Sequence, residues 1–187
     1  MKKILLIIFI LGFSAVLVDH FSTAIFESEA VLDNNQLVSS SGSNLDIKLN
    51  EIMPDPAGDD NAPMPNGEWV ELYNQGSWPV DVNGWWLYDA IDSHELLIAA
   101  SNVSGGSTII SSGGFLVVYR NGDGDFSLND SAAGDTGRLF NGPIASGILI
   151  DSYNYINPIN NWVFARIPDG SGLWVASSTP TPGGPNV

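Results

Sequence analysis

Residues 80–89 read Val80-Asp81-Val82-Asn83-Gly84-Trp85-Trp86-Leu87-Tyr88-Asp89, two short β-branched and aromatic runs divided by an Asn-Gly pair. Asn-Gly fills the two positive-φ positions of a type I′ turn at little steric cost, so the stretch reads as a hairpin joining Val80–Val82 to Trp85–Leu87. Successive side chains of a strand leave opposite faces of its sheet, so adjacent tryptophans cannot both enter one core. Trp85 and Leu87 are assigned to the interior, and Trp86 and Tyr88 to the outer surface. The two indoles therefore have different jobs.

The same grammar continues on both sides. DIKLNEI, EWVELYN, WPVDV, ELLIA, STII, FLVVYR, GILIDSYNY, NWVFARI and LWVA are short runs of strand-forming residues. PDPAGDDNAPMPNG, NQGS, SGG, NGDGD and PDGSG separate them and supply the Gly, Asn, Asp and Pro that turns need. Beyond the N-terminal segment no stretch holds a 3.6-residue apolar period over three turns. The pattern predicts an all-β protein, a sandwich in preference to a barrel.

With 187 residues, 44% of them hydrophobic, the chain has material for one domain with a proper core. Cysteine is absent, which removes disulfides, zinc-thiolate sites and thiol nucleophiles. The formal net charge is -15, and after Lys2 and Lys3 the only basic side chains are Lys48, Arg120, Arg138 and Arg166. Without a basic cluster no nucleic-acid partner is expected.

The start, MKKILLIIFILGFSAVLVDHFSTA, has two lysines, an apolar run from Ile4 to Val18 and small residues at Ser22 and Ala24. It resembles a secretory leader, expected to be helical and cleaved after Ala24 or Ala30, with an uncleaved membrane anchor as the alternative. The chain therefore divides into a signal peptide or anchor over 1–30, a flexible linker over 31–45 rich in Ser, Asn and Gly, and a β-sandwich domain over 46–187. A secreted or cell-surface location follows, and the lack of cysteine points to a prokaryotic source. Any membrane contact runs through the N-terminal segment.

Asn50-Glu51-Ile52, EWVELYN at 68–74, VDVNGWWLYD at 80–89, GGFLVV at 113–118, ARIPDGSGLW at 165–174 and TPTPGGPN at 179–186 together resemble the lamin tail domain, in order and approximate spacing. The resemblance implies an immunoglobulin-like β-sandwich, and in prokaryotes a domain of exported or surface proteins that often accompanies hydrolases. In that family the position of Trp85 is the usual tryptophan and that of Trp86 is variable. The segment 90–112 is longer than a minimal domain needs, and DTGRLFNGPIASG at 135–147 departs from the late strands. The resemblance carries a fold and a module type, and no catalytic residue.

The residues themselves offer no reaction either. His94 is the one histidine after residue 20, without a nucleophile elbow or a second histidine at metal spacing, and reads as a solvent-facing strand residue. Glu68 and Glu71, three apart on one strand, leave opposite faces and cannot work as a carboxylate pair. Asp123, Asp125 and Asp130 in NGDGDFSLND resemble the opening of a calcium loop, as do Asp55, Asp59 and Asp60. Phe126 stands where such a loop needs glycine and Ala132 where it needs a closing glutamate, so turn formation is the competing reading. No cofactor is required; Ca2+ is the candidate ion. Asn102 and Asn129 open N-glycosylation triplets. The expectation is a non-catalytic exported module binding a surface protein or a glycan, with Trp86, Tyr88 and Trp78 as contacts. A carbohydrate-binding sandwich and an accessory domain of a separate extracellular hydrolase are the alternatives. A coplanar aromatic strip favours sugars, and isolated rings favour a protein contact.

Overall fold

A computed structural model of the chain describes residues 30–33, 36–39 and 46–187, so the leader expected over 1–30 falls almost entirely outside the described residues. The chain divides into two compact units, Met1–Gly42 and Ser43–Val187. In the first, β1 (Ala30–Asp33) and β2 (Gln36–Ser39) pair antiparallel, across the end of the expected leader and the first part of the stretch read as a flexible linker over 31–45. Among the described residues no helix is long and apolar enough to cross a membrane.

The second unit is an immunoglobulin-like β-sandwich of antiparallel strands. One sheet has the order β13-β12-β3-β4-β9, formed by β3 (Ile47–Met53), β4 (Trp69–Asn74), β9 (Phe115–Tyr119), β12 (Val163–Ile167) and β13 (Leu173–Ser177). The other has the order β11-β10-β6-β7, from β6 (Trp86–Tyr88), β7 (Glu95–Leu97), β10 (Asp135–Phe140) and β11 (Leu149–Tyr155). A separate two-stranded ribbon of β5 (Val80–Asp81) and β8 (Ile109–Ile110) adds Val80 and Ile110 to the core. Leu49, Ile52, Val70, Leu72, Leu116 and Val118 of the first sheet share one buried cluster with Trp85, Leu87, Leu96, Leu139 and Tyr155 of the second.

The Asn-Gly stretch is a turn, but not a hairpin. Trp85 N–H donates to Val82 C=O, yet β5 pairs with β8 while β6 pairs with β7 and β10. Of the two central residues only Gly84 has positive φ, at 81°, the signature of a type II turn. Such a turn lacks the twist that keeps two strands side by side, and here the chain changes sheets. Val82 and Trp85 are both buried at the crossing.

A bulge in β3 reverses the inward parity. The register to β4 slips between Leu49 and Glu51, so Ile47 and Leu49 point inward before it and Ile52 after it. Glu51 and Met53 consequently face outward with Glu71 and Trp69, their partners on β4. DTGRLF, which departs from the family's late strands, is β10 at the middle of the second sheet. Its inward Gly137 leaves room for Ile52: a Cβ there would stand 3.1 Å from the isoleucine Cδ1.

Candidate functional site

Each sheet has an outer face, and the two are built differently. On the five-stranded sheet Met53, Trp69, Val117, Tyr119, Val163 and Ala165 form a second buried cluster. Beside it Glu51 and Glu71 stand opposite each other across β3 and β4, both fully buried. The C-terminal segment supplies their donors. Thr181 N–H reaches both Glu51 oxygens at 3.1 and 3.2 Å, and Gly183 N–H reaches Glu71 Oε2 at 2.6 Å. Asn50, at the bulge, donates to Glu71 Oε1 and to Asp169, each at 3.0 Å, and accepts from Gly170 N–H. Asn186 donates to Asn50 C=O and Arg166 C=O and closes the strap.

Burial raises Glu51 to about 7 and Glu71 to about 8, against the opposing effect of these hydrogen bonds. Neighbouring Asp169 pushes both the same way. This carboxylate pair comes from different strands, a convergence that the spacing of Glu68 and Glu71 could not reveal. Its oxygens are occupied by the chain's own donors, so the pair anchors the strap. Glu68 is equally buried and points elsewhere, to Arg120 at 3.1 Å, and burial pushes it up to about 8 despite that guanidinium.

On the four-stranded sheet the register sets one apolar row across every strand. Leu97 pairs with Trp86, Trp86 with Phe140, and Phe140 with Leu149. Cross-strand partners share a face, and this one is the outer face, because Leu87, Leu96 and Leu139 take the inner. Leu97 is 43% exposed and Leu149 47%, while Trp86 is half-buried and Phe140 is buried between its neighbours. The next row runs Glu95, Tyr88, Arg138, Ser152. At the other end of the apolar row, Leu97 borders a groove of about 320 Å³ that extends past Asn121 to Asp123.

Tyr88 corrects the sequence reading. It points to the outer face as parity requires but is fully buried, not a surface contact. The β10–β11 loop folds back over it: Ile144 N–H donates to its hydroxyl at 3.0 Å, and Asn141 and Ile148 exchange bonds that pinch the loop shut. Phe140 meets the ring edge-on at 5.4 Å, and the Arg138 guanidinium lies 5.7 Å from its centroid. Trp86 stacks against Tyr88 at 6.3 Å. Trp78, 75% exposed, sits in the β4–β5 connection and forms no aromatic pair with either. The three aromatics are not one coplanar strip.

The remaining candidates separate in the same way. Asp123 Oδ1 accepts from the N–H groups of Asp125 and Phe126, both at 2.9 Å, an Asx turn that closes its own loop. Asp130 lies across the molecule's loops near Asp60, whose carboxyl is raised by burial and then by Asp130 and Asp55. Among the described residues no group of three or more His, Asp or Glu is placed to hold a metal ion. Asn102, read as a surface acceptor for a glycan, is buried, its amide accepting from Ala99 N–H and donating to Leu97 C=O. Asn129 is exposed and donates to Asp135. His94 is partly exposed, with Nδ1 2.7 Å from the buried Asp89 carboxylate. It stands in the turn before β7, not on the strand.

The strapped outer face and the open apolar row belong to the two sheets of one immunoglobulin-like sandwich. The family model of the lamin tail domain matches residues 40–157, and the chain belongs to that family. The matched span ends before β12, although β12 pairs with β3 inside the sheet and β13 with β12. No curated protein and no solved structure matches the chain.

Proposed function

We propose that the protein is an exported, non-catalytic binding module whose contact face is the outer face of the four-stranded sheet. The observation that carries the reading is the row Leu97, Trp86, Phe140, Leu149, an apolar stripe across all four strands with an indole near its middle. Tryptophan and other aromatics anchor protein recognition, and contiguous exposed apolar surface marks interaction sites.

The partner is a protein with a basic rim. From residue 46 onward, seventeen Asp and Glu face three arginines and one lysine. All three arginines are engaged by carboxyl groups, Arg120 with Glu68, Arg138 with Asp92 and Arg166 with Asp151. Exposed Glu95 flanks the apolar row and Asp123 closes the groove beyond Leu97, so the rim is acidic. A sugar partner is supported less well, because Tyr88 is covered and Trp78 stands apart.

Export is tested by the intact mass of the product found outside the producing cells; a start between residues 25 and 31 is expected, and a product retaining Met1–Val18 in the membrane fraction counts for an anchor. The contact face is tested by binding of the labelled protein to intact producing cells. Trp86→Ala is expected to abolish it and added salt to weaken it. Unchanged binding by Trp86→Ala, or capture by a glycan array, refutes the assignment.

A further inference from the structure

Four strands end the two main sheets, and three are protected. Beside β9, Val103 forms a bridge with Val118 and Asn102 C=O accepts from Tyr119 N–H, so that edge is already occupied. β7 is three residues long and carries Glu95. β11 carries Asp151, turned inward to Arg166 at 2.8 Å and to Leu49 N–H at 3.1 Å. Short length, flanking charge and inward charge are the usual devices against edge pairing.

β13 has none of them. Leu173-Trp174-Val175-Ala176-Ser177 contains no charge and no proline, and among the described residues its outer edge has no strand partner. Leu173 is 82% exposed and Val175 41%. They lie on the outer face, with Ile167, Ala165 and Val163 as β12 partners of Leu173, Val175 and Ser177, so the exposed pair continues the buried second cluster toward the edge. Trp174 turns the other way, stacked on Tyr153 at 4.0 Å under the Arg166 guanidinium. The strap leaves β13 at Ser177 and runs inward to Glu51 and Glu71 on β3 and β4, away from the open edge.

We infer that β13 pairs antiparallel with β13 of a second copy about a two-fold axis at Val175, joining two five-stranded sheets into one. Charge selects this occupant. Residues 170–187 contain no Asp, Glu, Lys or Arg, in a domain otherwise rich in acid, so two copies meet here with less like-charge repulsion than at any other sheet edge. A basic partner, in contrast, finds no acid on this strand. An isologous contact requires a self-complementary patch. In this register Val175 faces its own copy, Leu173 faces Ser177 and Trp174 faces Ala176, with no charged side chain opposed to another. A contact built on one five-residue edge strand is small beside the roughly 1,200 Å² of a stable standard interface, so a weak, concentration-dependent dimer is expected.

The absence of cysteine makes the register directly readable. Antiparallel partners have Cα atoms about 4.5 to 5.5 Å apart, within disulfide reach, whereas positions four residues out of register are not. In the full chain under mild oxidation, Val175→Cys is expected to crosslink to a dimer much faster than Leu97→Cys, an equally exposed site on the other sheet. Leu173→Cys mixed with Ser177→Cys is expected to crosslink, and Leu173→Cys alone is not. Sedimentation of the unmodified chain is expected to show mass rising toward twice 19.9 kDa with concentration. Val175→Lys, which sets two like charges opposite, is expected to abolish the rise. Equal crosslinking at Val175, Leu173 and Leu97, a monomer at every concentration, or association that survives Val175→Lys overturns the proposal, as does β13 amide protection that appears only with a different protein. Apart from the Leu97→Cys control, which lies beside Trp86, these readouts do not touch the Trp86 row, and the sedimentation and Val175→Lys measurements separate the two surfaces.

Discussion

The outer face of the five-stranded sheet and the outer face of the four-stranded sheet begin from similar material, a tryptophan set among aliphatic and aromatic partners with acids nearby. On the first, Trp69 is buried in its own cluster and the neighbouring Glu51 and Glu71 are roofed by residues 181–186. On the second, the β10–β11 loop roofs Tyr88 and stops, leaving Leu97, Trp86 and Leu149 in contact with water. Covering an outer face costs chain entropy of about 1–2 kcal/mol per ordered residue, which burial and hydrogen bonds must offset. The strap meets that cost with seven hydrogen bonds to carboxylates and to Asn50 or Arg166 carbonyls. Among the described residues no comparable strap crosses the Leu97–Leu149 row, and it stays open.

The widest separation between the faces is in stability. Trp69→Ala and Trp85→Ala each remove a buried indole and leave a cavity, and each is expected to cost about 3–5 kcal/mol. At about 2–4 °C per kcal/mol for a domain of this size, the melting temperature falls by about 6–20 °C in thermal unfolding. A small loss at Trp69 would show that the five-stranded sheet's outer cluster is not packed as the core is.

Next in size is pH. A carboxyl whose native pKa lies above its unfolded value of 4.5 holds its proton longer in the native state, so stability falls as pH rises through that interval. Glu51 titrates at about 7, and Glu68 and Glu71 at about 8. Unfolding free energy is therefore expected to decline between about pH 4.5 and 8 and to level off above. Glu51→Gln keeps one oxygen to accept from Thr181, so it retains a strap hydrogen bond while removing one titration. Its denaturant midpoint is expected to exceed that of the unmodified protein at pH 8 and to change less with pH. Parallel pH profiles for the two proteins would show that Glu51 is ionised throughout.

What could be read from the chain was whatever local sequence determines. Apolar runs located the strands, and parity placed Trp85 and Leu87 inward and Trp86 outward, as the burial of Trp85 and Leu87 and the partial burial of Trp86 bear out. Contacts distant in sequence were not legible. Tyr88 has outward parity, but a loop some 56 residues later closes over it. Glu71 looks like a surface acid until Gly183, 112 residues away, reaches it. β10 was obscured because its inward positions are Asp135 and Gly137: one ties down Ala90, Asn129 and Thr136, and the other makes room for Ile52. Asn83-Gly84 carried the turn but not the pairing, since the same dipeptide serves type II and type I′ geometry and only the following strands' partners distinguish them.

Within the open face, Trp86→Ala is expected to cost about 1–2 kcal/mol, less than Trp85→Ala, because it loses the stacking on Tyr88 and cross-strand contacts but leaves no sealed cavity. A neutral quencher should reach Trp86 fluorescence and not that of Trp85, which can be read by comparing quenching in the two alanine variants. Equal destabilisation at both positions would place Trp86 among the structural tryptophans and remove the distinction between the faces.

The smallest stability change carries the sharpest test of that distinction. Leu97 ends the row as the β7 partner of Trp86, on a short edge strand, with its side chain partly in water. A lysine can lay its methylenes along Trp86 and keep its ammonium hydrated, and Glu95 two residues away supplies opposite charge on the same face. Leu97→Lys is therefore expected to change unfolding free energy by no more than about 0.5 kcal/mol, the range of ordinary surface substitutions. Against a basic partner the same ammonium adds like charge at the rim and interrupts the apolar stripe, so binding to producing cells should fall while melting stays put. If stability drops as it does for Trp69→Ala, Leu97 is roofed and the open face is smaller than described. If both stability and binding are unchanged, the row from Leu97 to Leu149 is exposed but is not where the partner sits.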